Sequence, residues 1–141
     1  MQMIDITMID EISKLFVDVF NSPPWNDSWN FNQAKERLLD IMNTPKYIGM
    51  VEVKNNKIVG LIMGRGEQYF DGVHFQILEF CVDKSVQGQG IGSYMLKEFL
   101  QYLKCINIDK CFLLTCHGQK TEGFYSNNGF KTNLGMCLMD I

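Results

Sequence analysis

The chain has 141 residues, 46% of them hydrophobic and 21% charged, with a formal net charge of −3. This length suits a single domain, residues 1–141, that can bury a proper hydrophobic core. A mildly acidic chain argues against nucleic-acid binding, which usually needs a basic face, so no nucleic-acid partner is expected.

The five cysteines show no Cys-x-x-Cys pair and no histidine at zinc-ligand spacing, so no metal site is predicted. An odd cysteine count without a disulfide framework favours a reducing compartment. The first residues show no basic segment followed by an apolar core, and no run approaches the roughly 18 apolar residues of a membrane span. We therefore expect a cytoplasmic protein with no membrane partner.

The hydrophobic periodicity predicts seven strands and four helices. The predicted strands cover residues 3–8, 47–54, 58–65, 73–82, 111–116, 129–132 and 134–140. Two helices precede the second strand, the first capped by Thr7 or Asp10 and the second by Asn30. The other two cover about 90–106 and 119–127. This order predicts an α/β (α+β) fold with a mixed central sheet of about six or seven strands flanked by about four helices.

A glycine-rich turn follows the apolar strand 73–82 and opens the long third helix. Gly88, Gly90 and Gly92 let the backbone turn sharply and approach a ligand. The N–H groups at the start of a helix bind anions, so a phosphate or pyrophosphate is the expected ligand. The spacing fits neither the dinucleotide fingerprint nor a P-loop, since Ser93 follows Gly92 with no lysine between them. A tight turn without a ligand is the alternative.

A second motif, Phe-Tyr-Ser-Asn-Asn-Gly-Phe, covers residues 124–130, with Gly129 as a left-handed helix cap. It resembles the Phe-Tyr-x-x-x-Gly-Phe ending of the GNAT superfamily of N-acetyltransferases. Gln87-x-x-Gly90-x-Gly92 is similar to the Gln/Arg-x-x-Gly-x-Gly acetyl-CoA loop of the same superfamily. The resemblance extends over essentially the whole chain and implies the GNAT fold.

The resemblance implies acetyl-CoA as the cosubstrate. Backbone amides of the loop would hold the pyrophosphate, and the end of the strand would pair with the pantetheine arm as an added strand does. The implied cofactor-binding residues are Cys81, Val82, Gln87, Gly88, Gln89, Gly90, Ile91, Gly92 and Ser93. Residues 118–123 depart from the family pattern, so side-chain contacts to the cofactor are not expected there.

Two side chains are the candidate catalytic residues. The resemblance places Tyr125 beside the coenzyme A sulfur, where a phenol can protonate the leaving thiolate; the alternative is a packing residue. Glu79 lies in an apolar strand, where a carboxylate is costly to bury unless it is paired or faces a cleft. A general base and a structural ion pair are equally open for it. Strand alternation predicts that Glu79 shares a sheet face with Phe75, Ile77 and Cys81.

The acceptor site is expected around the loop 21–30, which contains two prolines and both tryptophans. There, Trp25, Asp27 and Trp29 would form a wall of the pocket, with Asp27 available to an amine. The alternative is that the tryptophans fill the gap between two helices. Negative charge at the mouth of the pocket is expected from Asp71 and Glu67, and two weaker candidate bases are His74 and His117.

These features predict an acetyl-CoA-dependent N-acetyltransferase that transfers acetyl directly, without an acyl-enzyme, to a primary amine of a small molecule. An aminoglycoside-like compound or a polyamine is the expected acceptor, because residues 23–29 are similar to a segment of small GNAT proteins related to aminoglycoside N-acetyltransferases. A protein or peptide acceptor is the alternative within the enzyme class. A non-catalytic acetyl-CoA sensor is the alternative from another class. The protein is expected to be a monomer or a homodimer.

Overall fold

The computed structural model describes residues 1–141 and contains one mixed sheet. Its strands, in spatial order, are β1 (Gln2–Met3), β2 (Tyr47–Lys54), β3 (Lys57–Tyr69), β4 (Gly72–Val82) and β5 (Lys110–Leu113). Strands β1 to β4 pair with one another in antiparallel order, whereas β5 is parallel to β4. The helices are α1 (Ile9–Phe20), α2 (Phe31–Met42), α3 (Ile91–Cys105) and α4 (Glu122–Asn127). The α/β class and the four helices are confirmed, and the predicted six or seven strands are corrected to five.

The helices cover both faces of the sheet. Helices α1 and α2 bury their apolar stripes, with Phe16 and Leu38 fully enclosed, against Leu61 of β3. On the other face, α3 buries Phe99 edge-on against Phe75 of β4, with ring centroids 5.5 Å apart. No helix in the structure is both long and apolar enough to cross a lipid bilayer.

One predicted helix cap is confirmed and another is wrong. Asn30 forms a capping box at the start of α2: its side chain accepts from the Gln33 N–H at 2.9 Å, and the Gln33 side chain accepts from the Asn30 N–H at 3.2 Å. Neither Thr7 nor Asp10 caps α1. Instead, Asp5 accepts a bond from the Thr7 N–H at 2.8 Å and starts a 3₁₀ turn that leads into α1. This turn also shortens the predicted opening strand 3–8 to β1.

The two predicted C-terminal strands are absent. After α4 the Phe130 N–H bonds to the Tyr125 carbonyl, and Gly129 is left-handed with φ 92°, so the chain leaves the helix in a tight turn. Asn133 then accepts a bond from the Gly135 N–H at 2.9 Å, which interrupts an extended run. The apolar side chains of residues 134–141 remain exposed, because no neighbouring strand pairs with this segment. An alternating pattern forms a stable strand only when another strand pairs with it.

A β-bulge changes the face on which Glu79 lies. Glu79 pairs with Met63 on β3, but Ile77 pairs with the very next residue, Gly64, so the ladder skips Leu78. Side chains before and after the bulge therefore point to opposite faces. Phe75 and Ile77 pack against α3, whereas Cys81 packs in the core with α1 and α2, and Glu79 contacts α2. The prediction that Glu79 shares a sheet face with Phe75 and Ile77 is therefore wrong. The prediction that it shares a face with Cys81 is confirmed.

Candidate active site

A cleft opens where β4 and β5 separate. Strand β5 pairs with β4 only between His74 and Ile77, so β4 continues from residue 78 to Val82 without a partner on that side. Residues 114–116, which follow β5, line the cleft opposite. The cleft has a volume of about 960 Å³. Its unpaired strand backbone is suited to an extended ligand that adds as a strand.

The glycine-rich loop lines one part of the cleft. Gly88 and Gly90 have φ values of 75° and 80°, and a Cβ at either position would meet no atom within 4 Å. The N–H groups of Ile91, Gly92 and Ser93 donate to no protein group, and Gly90 at the N-cap has no side chain to accept from them. These free donors and the positive end of α3 favour an anion such as a pyrophosphate.

The loop is anchored to the end of β4. Hydrogen bonds to the Asp83 carboxylate from Lys57 (2.6 Å) and from the Ser85 N–H (2.9 Å) and hydroxyl (2.8 Å) lower the pKa of Asp83 to about 2. Asp83 is therefore ionised at neutral pH and caps a short 3₁₀ turn. Beyond that turn, Gln87 Nε2 donates to the Val82 carbonyl at 2.8 Å. The loop backbone is thus held in place by this chain's own residues.

Most of the expected cofactor-binding residues lie together in this cleft, namely Cys81, Val82, Gln87, Gly88, Gly90, Gly92 and Ser93. Two side chains do not line it. Gln89 is exposed and donates to the Ser85 carbonyl at 3.4 Å. Ile91 is buried in the core beneath α3, although its backbone N–H is among the free donors.

Glu79 lies in the wall of the same cleft, 8% exposed. Arg37 Nε on α2 donates to its Oε1 at 2.9 Å. Its Oε2 accepts no hydrogen bond from the protein and is not among the fully buried atoms that lack a partner, so solvent still reaches it. Burial raises the pKa of Glu79 above its ordinary value; Arg37 opposes this rise, and the nearby Asp27 carboxylate adds to it. A carboxylate with raised proton affinity suits a general base.

Tyr125 also lines the cleft, within an aromatic cluster. Its ring lies 5.2 to 6.4 Å, between centroids, from three phenylalanine rings: Phe80, Phe124 and Phe130. Burial raises the pKa of Tyr125 to about 12, and the neighbouring acidic groups Cys81 and Glu79 add to the rise. The phenol therefore keeps its proton at neutral pH. Burial likewise raises the pKa of the Cys81 thiol, which makes it a poor nucleophile.

The loop between α1 and α2 packs against the helices and also lines both clefts. Trp25 packs edge-on against Phe20, with centroids 5.1 Å apart, and also lines the cleft. Trp29 packs edge-on against Phe16, with centroids 5.2 Å apart, and fills the space between the two helices. The Trp29 indole N–H donates to Asp27 at 3.0 Å, and both residues line a second, more polar cleft of about 580 Å³.

Arg37 was not predicted from the sequence as a site residue. It also lines the polar cleft, together with three acidic side chains, those of Asp27, Glu36 and Asp40. A signal was present: Arg37 stands three residues after Ala34 and four before Ile41, both of which are buried. A basic residue within the apolar stripe of a helix indicates a buried acidic partner.

The structure does not bring Asp71 or His74 to either cleft. Asp71 lies in the turn between β3 and β4, about 25 Å along the strand from Glu79. It pairs with Lys110 and, at 2.8 Å, with His74 Nε2; the Lys110 bond is the main reason that the pKa of Asp71 is lowered. This cluster joins the β3–β4 turn to the edge strand.

The other two candidate polar residues are also engaged elsewhere. Glu67 accepts a hydrogen bond from Arg65 at 2.9 Å. His117 is exposed, and its Nδ1 lies 2.8 Å from a Glu122 carboxylate oxygen. No group of three or more potential ligand side chains is arranged to hold a metal ion.

Comparison with known proteins gives a family match. The model of the acetyltransferase (GNAT) family matches residues 9–130, most of the chain. A search of curated protein sequences finds no significant match.

Solved structures show the same fold at low sequence identity. A GNAT family acetyltransferase from Staphylococcus aureus has a TM-score of 0.76 and 18% identity, over 99% of this chain and 96% of that one. A predicted acetyltransferase with acetyl-CoA from Clostridium acetobutylicum has a TM-score of 0.72 and 16% identity, over 99% and 94%. An aminoglycoside acetyltransferase from an uncultured soil metagenomic sample, in complex with sisomicin, has a TM-score of 0.71 and 18% identity, over 96% and 87%.

Proposed function

Because the chain belongs to the GNAT family of acetyltransferases, we propose that it transfers an acetyl group from acetyl-CoA directly to a primary amine of a small molecule. The observation that carries this proposal is the presence of Glu79 and Tyr125 in one cleft, beside the anion-binding loop. One side chain suits a base and the other retains a proton for a leaving group. The Cys81 thiol is too buried to act as a nucleophile, which favours direct transfer.

The cleft fits acetyl-CoA. The free N–H groups of 91–93 would bind the pyrophosphate, and the unpaired edge of β4 from 78 to 82 would pair with the pantetheine arm. When bound, acetyl-CoA supplies the acetyl group as a reactive thioester. The open space beside Gly88 and Gly90 leaves room for the phosphate oxygens.

Gly90→Ala is expected to weaken acetyl-CoA binding by about tenfold. A left-handed alanine costs about 1–2 kcal/mol, and the loop would relax away from the conformation that presents its donors. Isothermal titration calorimetry with acetyl-CoA measures the change.

Gly129→Ala is the matched control. Gly129 is also left-handed, with φ 92°, and a Cβ there also meets no atom within 4 Å, but it does not line the cleft. It carries the same backbone cost and should bind acetyl-CoA as wild type does. Equal affinities in all three proteins would contradict the assignment of the loop.

Proton transfers in this cleft are assigned to two atoms. A typical alkylamine is cationic at neutral pH and must lose a proton before it can attack a carbonyl carbon. Glu79 Oε2, which has no donor within the protein, accepts that proton. The Tyr125 hydroxyl donates its proton to the sulfur that leaves as the carbon–sulfur bond breaks.

The acceptor is proposed to be a cationic small molecule that carries several amines, such as an aminoglycoside or a polyamine. Two of the structural neighbours are aminoglycoside acetyltransferases from soil metagenomic samples, which supports this class. The polar cleft, which Arg37 also lines, carries the carboxylates of Asp27, Glu36 and Asp40, and Asp27 is close enough to Glu79 to influence its pKa. Carboxylates at that place favour a substrate with further positive charges.

Mass spectrometry of reaction products tests this function. The purified protein is incubated with acetyl-CoA and a panel of sisomicin, spermidine and a short peptide with a free N-terminus and a lysine. We expect a mass increase of one acetyl group on sisomicin or spermidine. Acetylation of the peptide alone would overturn the small-molecule acceptor, and acetyl-CoA binding without any product would favour the sensor.

A further inference from the structure

Arg37 stands between the two clefts. Its side chain lines the polar cleft and is 43% exposed there, while its Nε donates to Oε1 of Glu79 in the wall of the main cleft. Glu79 is almost entirely buried, with a side chain 10% exposed. The hydrogen bond thus joins an accessible cation on α2 to an enclosed carboxylate on β4.

This contact fixes which carboxylate oxygen is available. Oε1 is occupied by Arg37 Nε at 2.9 Å, whereas Oε2 has no donor within the protein. A glutamate side chain has three rotatable bonds, so without a partner its carboxylate would sample several orientations. A charge-assisted hydrogen bond at this distance restricts it to one.

Arg37 is also the cation that opposes the other influences on Glu79. The other titratable groups close enough to interact electrostatically with this carboxylate are Asp27 from the loop after α1, Cys81 on the same strand and Tyr125 on α4. Helix α1 contributes only the uncharged Val19 and Phe20 to the cleft. Burial and Asp27 both favour the protonated carboxyl, which cannot accept a further proton from an ammonium group.

We propose that Arg37 is a positioning residue for Glu79: its Nε–Oε1 hydrogen bond favours the carboxylate form and leaves Oε2 to take the proton of the acceptor ammonium. This inference rests on the proposed function, in which Glu79 is the general base. The step is a simple proton transfer, in which the carboxylate becomes a carboxylic acid and the ammonium becomes the neutral amine that attacks. Arg37 acts only through its hydrogen bond to Glu79 and exchanges no proton itself.

The first test is an NMR titration of the glutamate carboxyl carbons in the full-length protein, which needs no acceptor. The Glu79 signal is assigned by its loss in Glu79→Gln. In Arg37→Met we expect Glu79 to titrate at least about one pH unit higher than in wild type, because a cation at hydrogen-bond distance lowers a carboxyl pKa by about 1–3. Arg37→Lys, which keeps the charge, should recover part of this difference.

Lys35→Met is the matched control, because it removes a cation from the same helix. Lys35 pairs with Asp10 at 2.7 Å and lines neither cleft. This substitution should leave the titration of Glu79 unchanged. If Glu79 titrates at the same pH in Arg37→Met as in wild type, the proposal is overturned.

The second test is the pH profile of kcat/KM with sisomicin as the acceptor probe. The acid limb should move upward in Arg37→Met by the same amount as the NMR titration, and Arg37→Met should have no further effect in a Glu79→Gln background. A uniform loss at all pH values, or an equal effect in that background, would indicate a structural role only and overturn the proposal. If wild type transfers acetyl to neither sisomicin nor spermidine, that result counts against the proposed function, while the NMR titration still decides whether Arg37 controls Glu79.

Discussion

Tyr125→Phe is expected to lower kcat by about 10²-fold or more while the dissociation constant for acetyl-CoA stays within about twofold. The substitution removes one hydroxyl and keeps the ring that packs between Phe124 and Phe130. Because the pKa of Tyr125 is raised to about 12, the hydroxyl carries a proton at every pH at which the enzyme is assayed. Steady-state kinetics and calorimetry with acetyl-CoA measure the two quantities separately.

Tyr47→Phe provides a close control for this experiment. The Tyr47 hydroxyl is buried without a hydrogen-bond partner, and burial raises the pKa of Tyr47 to about 12 as well, but it does not line the cleft. Its removal should change neither rate nor affinity, and it should not reduce stability, since an unsatisfied buried group is lost. If Tyr125→Phe keeps wild-type kcat, Tyr125 is a packing residue and the acid must be sought elsewhere.

The parts of the site that the sequence could predict are local in the chain. The glycine loop, the start of α3 and the cap at Gly129 depend on residues within a few positions of one another, and their spacing determines the backbone. The capping box of α2 is predictable for the same reason, because Asn30 and Gln33 satisfy each other's N–H groups across a single turn.

The parts that the sequence could not predict depend on distant pairing. The bulge at Leu78 exists because β3 and β4 pair out of step by one residue, and nothing in the local pattern of β4 indicates it. That bulge turns Glu79 away from Phe75 and towards α2, where Arg37, 42 positions away in the chain, meets it. In residues 134–140 the local pattern is misleading instead of silent. Their alternation predicts a strand, but no neighbouring strand pairs with them.

Asp71 illustrates a different limit. An acidic residue near a turn can serve a substrate or its own neighbours, and the sequence does not distinguish these roles. In the structure it pairs with Lys110 from the adjacent strand and with His74, far from the glycine loop. The structural role of Asp71 depends on the parallel pairing of β4 with β5, which brings residue 110 beside residue 74. That pairing could not be predicted from the local sequence.

Glu79→Gln is expected to reduce kcat/KM by about 10²–10⁴-fold, the usual contribution of a positioned general base. The residual activity should also lose the acid limb of the pH profile that wild type shows. Because the pKa of Glu79 is raised, wild-type activity should increase with pH as the carboxylate forms, and this increase should occur above the ordinary glutamate pKa of 4.5. Kinetics with sisomicin across the acidic range measure this.

Stability distinguishes this role from that of a structural ion pair. Folding raises the pKa of the Glu79 carboxyl, so its protonated form stabilises the fold relative to its ionised form. That contribution is complete at a pH below the pKa of the unfolded chain, and it is lost as the pH rises through the pKa of the folded protein. At neutral pH the buried Glu79 therefore opposes folding, and a neutral glutamine that still accepts from Arg37 should melt at an equal or higher temperature. Loss of activity with retained or increased stability is the signature of a residue kept for function. If Glu79→Gln melts well below wild type and its rate falls only in proportion to the folded fraction, the ion pair with Arg37 is structural and the base lies elsewhere in the cleft.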